Sequence, residues 1–351
     1  LFKIHIYNIY INCLFNIILV DNNTKQRRLS MEILKLDPAI KDYLWGGRKL
    51  VEKFNKVSDL DKVAETWEMS NHKDGSSIVI NGEYKGLSFS DYLEKKGKAV
   101  WGRNCEKYDN FPIMIKFIDA KQALSIQVHP DDEYALKNEG EFGKNEFWYV
   151  LEAEPDAFLY YGVNQEMTKE EFRQHIEDDT VCDYLKKVPI KKGDCFYIKA
   201  GTIHAIGAGS VIAEIQQCSN STYRVYDFGR LGADGKPREL HIDKAVDVSC
   251  LVPSEKNGDP EGTIEELDGY TKLLLTDNDY FTCERYDVTK SYNGQASFDS
   301  FQALTILNGE GTIVYDDKTL DIKKGDSVFI PAQEGAYQVN GEVSFIKTFV
   351  R

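Results

Sequence analysis

Short runs in which polar and apolar residues alternate dominate the chain and predict β-strands. In "LSIQVH" (124–129), the polar residues Ser125, Gln127 and His129 alternate with apolar ones, so the polar set shares one face of a strand. Four further runs have strand character: "SSIVING" (76–82), "PIMIKFID" (112–119), "EFWYVLEAE" (146–154) and "AFLYYG" (157–162). Many short strands between turn signals predict an all-β sandwich or barrel.

One segment has helical periodicity instead. In "TKEEFRQHIEDDTVCDYL" (168–185), Thr168 is followed three residues later by Glu171, which is the pattern of a capping box. Two apolar residues then lie one helical turn apart. We therefore expect a helical insertion near 168–185 within a mainly β chain, and a loop at the glycine-rich and charged stretch 228–240.

Two distant stretches of the chain resemble each other. "KKGDCFYIKAGTIHAI" (191–206) and "KKGDSVFIPAQEGAYQV" (323–339) both begin with Lys-Lys-Gly-Asp and continue into an apolar strand. Such an internal repeat predicts two related β-domains. His204 in the first copy becomes Ala336 in the second, so only the first copy has a metal-ligand candidate at that position.

The domain organisation predicted from these patterns has three parts. Residues 1–30 are expected to be a tail outside the fold, because the apolar run 9–20 is too short to span a bilayer and no cleavage site follows it. A signal or anchor segment is the alternative at this end. Residues 31–255 are expected to form the catalytic domain, and residues 256–351 a related β-domain without metal ligands.

Composition and charge narrow the class of function. The chain has 351 residues and a formal net charge of −14, which argues against a general nucleic-acid binder. Its seven cysteines are scattered and form no Cys-x-x-Cys pair. This pattern is typical of reduced thiols, so we expect a cytoplasmic protein rather than a disulfide-stabilised one.

Four residues form a candidate metal site. Gln127 and His129 share a strand face, Glu146 opens the next strand, and His204 follows the first Lys-Lys-Gly-Asp turn. Two imidazoles and one carboxylate suit zinc, iron or manganese and leave an open position, as a catalytic site requires. Each residue alone also has a plainer interpretation: a hydrogen-bonded core histidine, or a Glu146 paired with Lys144.

Seven stretches resemble the type I phosphomannose isomerase (mannose-6-phosphate isomerase) family in its short two-cupin bacterial form. They occur in the family's order: "LWGGRKL" (44–50), "AETWEMSNH" (64–72), "FPIMIKFIDAKQALSIQVHPDD" (111–132), "GKNEFWYVLEAEP" (143–155), "KKGDCFYIKAGTIHAIGAG" (191–209), "EIQQCSNSTYRVYDFGR" (214–230) and "PRELHIDKAVDV" (237–248). The resemblance implies two cupin-type β-barrel (jelly-roll) domains and an enzyme that interconverts mannose 6-phosphate and fructose 6-phosphate.

The resemblance also implies the cofactor. It assigns His129, Glu146 and His204 as ligands of one Zn²⁺ per chain, with Gln127 as an accompanying amide ligand. The sequence departs from the family pattern at Asn220, which stands where some longer family members carry an acidic residue. The identity of the base that moves the proton is therefore open at this point.

Further side chains are assigned to substrate. The resemblance implies three polar residues lining the sugar-phosphate pocket: Ser125, Lys116 and Lys144. It also implies that Arg224 is the active-site arginine, which could bind phosphate or an enediolate; a structural pair with Asp227 is the alternative. Glu214, ten residues earlier, is our candidate for the carboxylate that moves the proton, and an ordinary structural carboxylate is the alternative.

Two other functions are compatible with these patterns. One is a different metal-dependent cupin enzyme, such as a dioxygenase or epimerase, and the other is a non-catalytic two-cupin protein that binds a sugar phosphate. The expected partner is a small-molecule sugar phosphate, with no nucleic acid and no membrane. We expect a monomer or a weak homo-oligomer.

Overall fold

The structure is a computed structural model that describes residues 31–232, 235–254 and 258–351, so the predicted tail at 1–30 lies outside it. Ile33–Arg351 form one compact unit. The strands of the described residues are β1 Leu34–Asp37, β2 Ala39–Lys41, β3 Glu65–Met69, β4 Asn71–His72, β5 Gly75–Ser76, β6 Ile78–Val79, β7 Ile113–Ala120, β8 Ile126–Val128, β9 Glu146–Ala153, β10 Phe158–Val163, β11 Leu185–Pro189, β12 Cys195–Ile198, β13 His204–Ile206, β14 Ser210–Gln217, β15 Tyr223–Tyr226, β16 Glu265–Leu267, β17 Tyr270–Asp277, β18 Thr282–Val288, β19 Ser291–Ala296, β20 Gln302–Tyr315, β21 Lys318–Lys323, β22 Ser327–Ile330 and β23 Gly335–Phe349. The α-helices are α1 Lys49–Lys53, α2 Phe89–Lys96, α3 Asp132–Asn138, α4 Lys169–Glu177 and α5 Ile242–Val248, and 3₁₀ helices lie at Lys98–Val100, Arg103–Cys105 and Val181–Tyr184. The predicted mainly β fold is confirmed.

Four antiparallel sheets organise these strands, and the smallest is the pair β4-β5. A six-stranded sheet has the order β12-β9-β14-β7-β3-β2, and a five-stranded sheet has the order β11-β10-β13-β8-β15. A ten-stranded sheet has the order β16-β17-β18-β23-β20-β22-β1-β6, with β19 paired to β23 and β21 paired to β20. Because β1 and β6 join the C-terminal strands in one sheet, early and late parts of the chain are interleaved. The proposed division near residue 255 stays a prediction.

Apolar side chains fill the space on both faces of the six-stranded sheet. One face packs against the five-stranded sheet through a cluster that includes Trp148, Ile212 and Leu159. The opposite face packs against strands of the C-terminal sheet through a cluster that includes Phe147 and Phe329. The site described below therefore lies in a jelly-roll-like sandwich of the five- and six-stranded sheets, whose outer side is covered by the ten-stranded sheet.

The predicted helical insertion is present and shorter than its segment. Thr168 and Glu171 form the expected capping box at the start of α4, and the helix ends at Glu177. Val181–Tyr184 form a 3₁₀ helix, and Leu185 begins β11. The segment 76–82 departs more from its prediction, because it is not one continuous strand: Ser77 interrupts it between β5 and β6. The buried Ser77 hydroxyl lies within hydrogen-bond distance of two carbonyl oxygens of β3.

The two Lys-Lys-Gly-Asp copies adopt the same turn. In each copy the aspartate accepts a hydrogen bond from the backbone amide three residues earlier, at 2.9 Å for Asp194 and 2.8 Å for Asp326. The glycine before each aspartate has a positive φ, 95° and 89°, which explains why glycine is needed there. Strands β12 and β22 follow directly, and the copies diverge afterwards: His204 opens β13, whereas Ala336 lies within the long strand β23.

Two further sequence expectations concern thiols and membranes. The cysteines of the described residues are free thiols: Cys105, Cys182, Cys195, Cys218, Cys250 and Cys283. Among the described residues, no helix combines the length and the apolar character that crossing a bilayer requires.

Candidate metal centre and substrate pocket

Strand β8 separates a polar face from an apolar one, as its sequence pattern predicts. Ile126 and Val128 are fully buried in a cluster with apolar side chains of α4 and α5 on the outer side of the five-stranded sheet. Ser125, Gln127 and His129 alternate with them and therefore face the interior of the sandwich. Ser125 and His129 are buried there as well.

The three predicted charged or imidazole ligands meet at one point. The ligand atoms of His129, Glu146 and His204 all lie within 4.8 Å of one another, and all three side chains are buried. His129 Nε2 lies 3.3 Å from Glu146 Oε1, and His204 Nε2 lies 3.7 Å from Glu146 Oε2. A tetrahedral ion about 2.1 Å from each ligand needs ligand separations of about 3.4 Å, so this spacing fits one metal ion.

Backbone carbonyls orient both imidazoles toward that point. His129 Nδ1 lies 2.9 Å from the carbonyl oxygen of Ser221, and His204 Nδ1 lies 2.8 Å from that of Thr202. A ring that donates from Nδ1 keeps Nε2 free as a ligand. Burial lowers the pKa of His129 well below its ordinary value and the pKa of His204 to about 4, so both rings are neutral, as metal ligation requires.

Glu146 supplies an independent sign that the site suits a cation. Its Oε2 atom is buried and has no hydrogen-bond partner. A buried carboxylate oxygen without a donor is costly unless a cation binds it. The residues present therefore fit a metal ion.

Gln127 and Lys144 complete the surroundings of these ligands. Gln127 lies directly opposite His204 in the β8–β13 pairing, and its amide lies 3.3 Å from His204 Nε2. Lys144 Nζ lies 3.1 Å from His129 Nε2 and donates a hydrogen bond to Glu146 Oε1. Burial lowers the pKa of Lys144 to about 7. All four predicted metal-site residues and the predicted pocket residue Lys144 are thus in one place.

A second buried ion pair lies on the same face of the six-stranded sheet. Lys116 and Glu214 are directly opposite in the β7–β14 pairing, with 3.0 Å between Lys116 Nζ and Glu214 Oε1. Trp148 Nε1 donates to Glu214 Oε2 at 2.9 Å, and the Trp148 ring lies edge-on to His204 with centroids 5.2 Å apart. This chain of contacts connects Glu214 to the metal ligands.

The environment of Glu214 keeps it ionised. Burial alone would raise its pKa, but the positive charges of Lys116 and Lys144 outweigh burial and hold the pKa below its ordinary value. A buried carboxylate that is kept ionised is able to accept a proton from substrate.

Arg224 faces the site from the neighbouring strand. It lies directly opposite Gln127 in the β15–β8 pairing, so the two side chains share a face. Its Nη1 donates to the carbonyl oxygen of Glu239 at 2.7 Å, while its Nε is buried without a hydrogen-bond partner. Asp227, the alternative partner considered from the sequence, is bound by Arg230 and Arg238 instead.

Some residues around the site were missed by the sequence reasoning. Trp148 had a usable signal, because it lies two residues after Glu146 and so shares its strand face. The carbonyl groups of Thr202 and Ser221 had none, because any residue type can supply a backbone carbonyl. Arg230 and Arg238 lie in a segment whose sequence predicts only a loop.

Comparison with known proteins extends along nearly the whole described chain. Residues 33–160 match the family model described as phosphomannose isomerase type I, catalytic domain, and residues 271–350 match that described as mannose-6-phosphate isomerase, cupin domain. A probable mannose-6-phosphate isomerase of Bacillus subtilis, GmuF, is 36% identical over 317 residues, which cover 89% of this chain and 98% of that protein. The mannose-6-phosphate isomerase of Streptococcus mutans is 36% identical over 315 residues, which cover 90% of this chain and 97% of that protein.

Solved structures agree with these sequence matches. The crystal structure of the mannose 6-phosphate isomerase from Bacillus subtilis superposes with a TM-score of 0.83 at 34% identity, covering 90% of this chain and 99% of that one. A putative mannosephosphate isomerase from Archaeoglobus fulgidus, at 22% identity and a TM-score of 0.70, covers 92% and 98% and shows the shared fold alone. Fold, site geometry and sequence matches lead to one conclusion: the chain belongs to the type I phosphomannose isomerase family.

Proposed function

We propose that this protein interconverts mannose 6-phosphate and fructose 6-phosphate with one zinc ion per chain. One observation carries the proposal: the buried side chains of His129, Glu146 and His204 lie within reach of one metal ion, and Oε2 of Glu146 has no hydrogen-bond partner. Family membership and the close relatives named mannose-6-phosphate isomerase support the reaction.

His129, Glu146 and His204 would hold the metal, with the Gln127 amide oxygen as an additional ligand. A bound zinc ion would polarise the sugar carbonyl and stabilise negative charge on its oxygen. None of these four residues is a cysteine, which favours a catalytic role for this site over a structural one.

The protein's own groups then move the proton and bind the substrate. Glu214, ionised by its two neighbouring lysines, takes the proton from C2 of the aldose and returns it to C1 of the enediol, while the proton of the C2 hydroxyl passes to the C1 oxygen. Lys144, beside the metal ligands, donates a hydrogen bond to a sugar hydroxyl. Arg224, opposite Gln127, contributes a guanidinium group, which carries a positive charge near neutral pH.

Purified protein and mannose 6-phosphate test the proposal in a coupled assay that detects fructose 6-phosphate. We expect turnover that disappears after chelation and returns when zinc is added. His129→Ala should lose both metal and activity. His175→Ala is the matched control, because His175 lies on α4 and stacks on Tyr184, and this variant should keep both.

Two results would contradict the proposal. Metal-loaded protein that gives no turnover would favour another cupin enzyme or a binding protein. Full metal content and activity in His129→Ala would show that the ligands were assigned wrongly.

A further inference from the structure

The two oxygens of the Glu214 carboxylate have different surroundings. Oε2 accepts a hydrogen bond from Trp148 Nε1 at 2.9 Å. Oε1 lies 3.0 Å from Lys116 Nζ in an ion pair, but it accepts no directed hydrogen bond from any described residue. Because Oε1 is buried, bulk water does not reach it. The carboxylate is therefore tied at one oxygen and open at the other.

A second buried carboxylate of the same chain shows the contrast. Glu68 pairs with Lys56, which donates to its Oε2 at 2.6 Å together with Ser327 at 2.9 Å. Thr66 donates to the other oxygen, Oε1, at 2.6 Å. Buried polar atoms are normally satisfied in this way. The open oxygen of Glu214 therefore indicates a group prepared for a ligand or a reaction, in contrast to an ordinary structural pair.

The register of two central strands fixes the Trp148 indole against Glu214. Trp148 on β9 lies directly opposite Glu214 on β14, so both side chains stand on the same face of the six-stranded sheet. Trp148 is fully buried. Its Nε1–H is a donor only, and this single hydrogen is directed at Oε2. The carboxylate is thus anchored through one defined oxygen.

The same indole also contacts a candidate metal ligand. Its ring lies edge-on to the His204 imidazole, with centroids 5.2 Å apart and an interplanar angle of 78°. One rigid side chain therefore lies between the carboxylate and the metal ligands. Proton transfer requires the accepting oxygen at close and fixed range from the substrate carbon, and a small displacement lowers the rate. A rigid ring that contacts both groups is suited to fixing that distance.

We propose that Trp148 is a positioning residue that occupies Oε2 of Glu214 and so leaves Oε1 as the atom that accepts the substrate proton. This inference rests on the proposed function and deepens it. When the C2–H bond of the aldose breaks, its electron pair forms the C1–C2 double bond of the enediol, the carbonyl pair moves to the C1 oxygen, and Oε1 gains the proton. Protonation at Oε1 leaves Oε2 an acceptor, so the hydrogen bond from Trp148 persists through the step.

Trp148→Phe tests the hydrogen bond while keeping an aromatic ring near His204. We expect kcat for mannose 6-phosphate to fall about ten- to a hundredfold, as the loss of a hydrogen bond to a charged group predicts, with a much smaller change in KM. Zinc content should stay unchanged. Trp101→Phe is the matched control, because Trp101 is buried in a different apolar cluster and its Nε1 has no partner among the described residues. Its kinetic constants should equal those of the wild type.

An isotope effect separates positioning from a purely structural role. With mannose 6-phosphate deuterated at C2, Trp148→Phe should show a primary isotope effect on kcat at least as large as that of the wild type, because proton transfer becomes the slow step. General loosening of the sheet would lower the free energy of unfolding without slowing that one step. An unchanged kcat in folded Trp148→Phe protein, or a reduced kcat without an isotope effect, would overturn the inference.

Nuclear magnetic resonance reports the contact without turnover. The chain has four tryptophans, so its indole N–H groups give four signals, and each is assigned by its absence from the matching Trp→Phe variant. In Glu214→Gln a neutral amide replaces the carboxylate. The Trp148 proton signal should then move upfield, while the Trp101 signal stays in place. An unmoved Trp148 signal would overturn the inference.

Failure of the positioning role is distinguishable from failure of the proposed function. If zinc-loaded wild-type protein did not turn over mannose 6-phosphate, the proposed function would be wrong. The shift of the Trp148 signal in Glu214→Gln would still decide whether the indole holds this carboxylate. If the wild type were active and Trp148→Phe matched Trp101→Phe in kcat, the proposed function would stand and the positioning role would fall.

Discussion

Replacing Lys116 with methionine is the sharpest test of Glu214 as the group that moves the proton. Lys116 Nζ lies 3.0 Å from Glu214 Oε1, and the two side chains are 6% and 4% exposed. Methionine occupies similar space without a charge, so the variant leaves Glu214 as a buried carboxylate whose remaining side-chain donor is Trp148. Burial then dominates, and the Glu214 pKa should rise.

The size of this effect follows from the burial of the pair. Removing one partner of a buried ion pair costs about 3–5 kcal/mol. Because one pKa unit corresponds to about 1.36 kcal/mol, the Glu214 pKa should rise by about 2–4 units. A carboxylate is ionised above its pKa. As the pH decreases, the rate in Lys116→Met should therefore begin to fall at about pH 4–6, whereas the rate of the wild type should begin to fall at a lower pH.

The assay is the pH dependence of kcat/KM for mannose 6-phosphate, which reports ionisations of the free enzyme. Lys116→Arg keeps the charge and should keep the wild-type profile. Lys56→Met is a matched control at a second buried pair, where Lys56 Nζ lies 2.6 Å from Glu68 Oε2 and the side chains are 6% and 0% exposed. It should lose about 3–5 kcal/mol of unfolding free energy in urea, with no change in the profile.

Only the shape of the profile decides the outcome. Loss of Lys116 is expected to lower the rate at every pH as well, because the residue lies in the pocket. If the acid limb of Lys116→Met coincided with those of the wild type and Lys56→Met, the rate would not depend on Glu214 ionisation. The assignment of Glu214 as proton acceptor would then be wrong.

Three further predictions concern the metal, a loop and a helix. Saturating zinc should raise the unfolding free energy by about 4 kcal/mol at a thousandfold excess over Kd, and a melting temperature that ignores chelation would contradict a bound metal. Asn220→Ala removes a 3.0 Å hydrogen bond to Asp74, and Asn220 directly precedes Ser221, whose carbonyl orients His129. In a chelator competition, the affinity for zinc should fall up to about tenfold. An unchanged affinity would show that the loop does not depend on this bond. Thr168→Ala removes the N-terminal cap of α4 and should lower the free energy of unfolding, measured in urea, by about 0.5–2 kcal/mol. Because α4 covers the outer side of the five-stranded sheet, kcat/KM should stay unchanged. A loss of activity would contradict that placement.

The sequence was most informative where a local pattern conflicted with ordinary packing. A strand that alternates Ser125, Gln127 and His129 with apolar residues buries Ser125 and His129, and burial of such groups needs a hydrogen-bonding or ligating partner. Period-two alternation alone fixed which residues share a face, and the structure agrees. The capping box at Thr168 was equally readable, because both of its partners lie within one turn.

The partners of charged side chains could not be read in the same way. Lys116 and Glu214 meet because the register of β7 and β14 places them opposite, and that register depends on the whole sheet. Arg224 and Arg230 each lie three residues from Asp227, so the sequence could not tell which of them pairs with it; the structure shows Arg230 and Arg238 there. Proximity in sequence is a poor guide to ion pairs between strands.

The distribution of buried charge agrees with the role proposed for Glu214. Lys116 holds Glu214 ionised, as a proton acceptor requires. Arg230 and Arg238 are paired with Asp227 in the same way, so the two sets of charges have separate buried partners. A globally acidic protein can therefore keep an ionised carboxylate inside its sandwich, because a buried lysine lies directly opposite it.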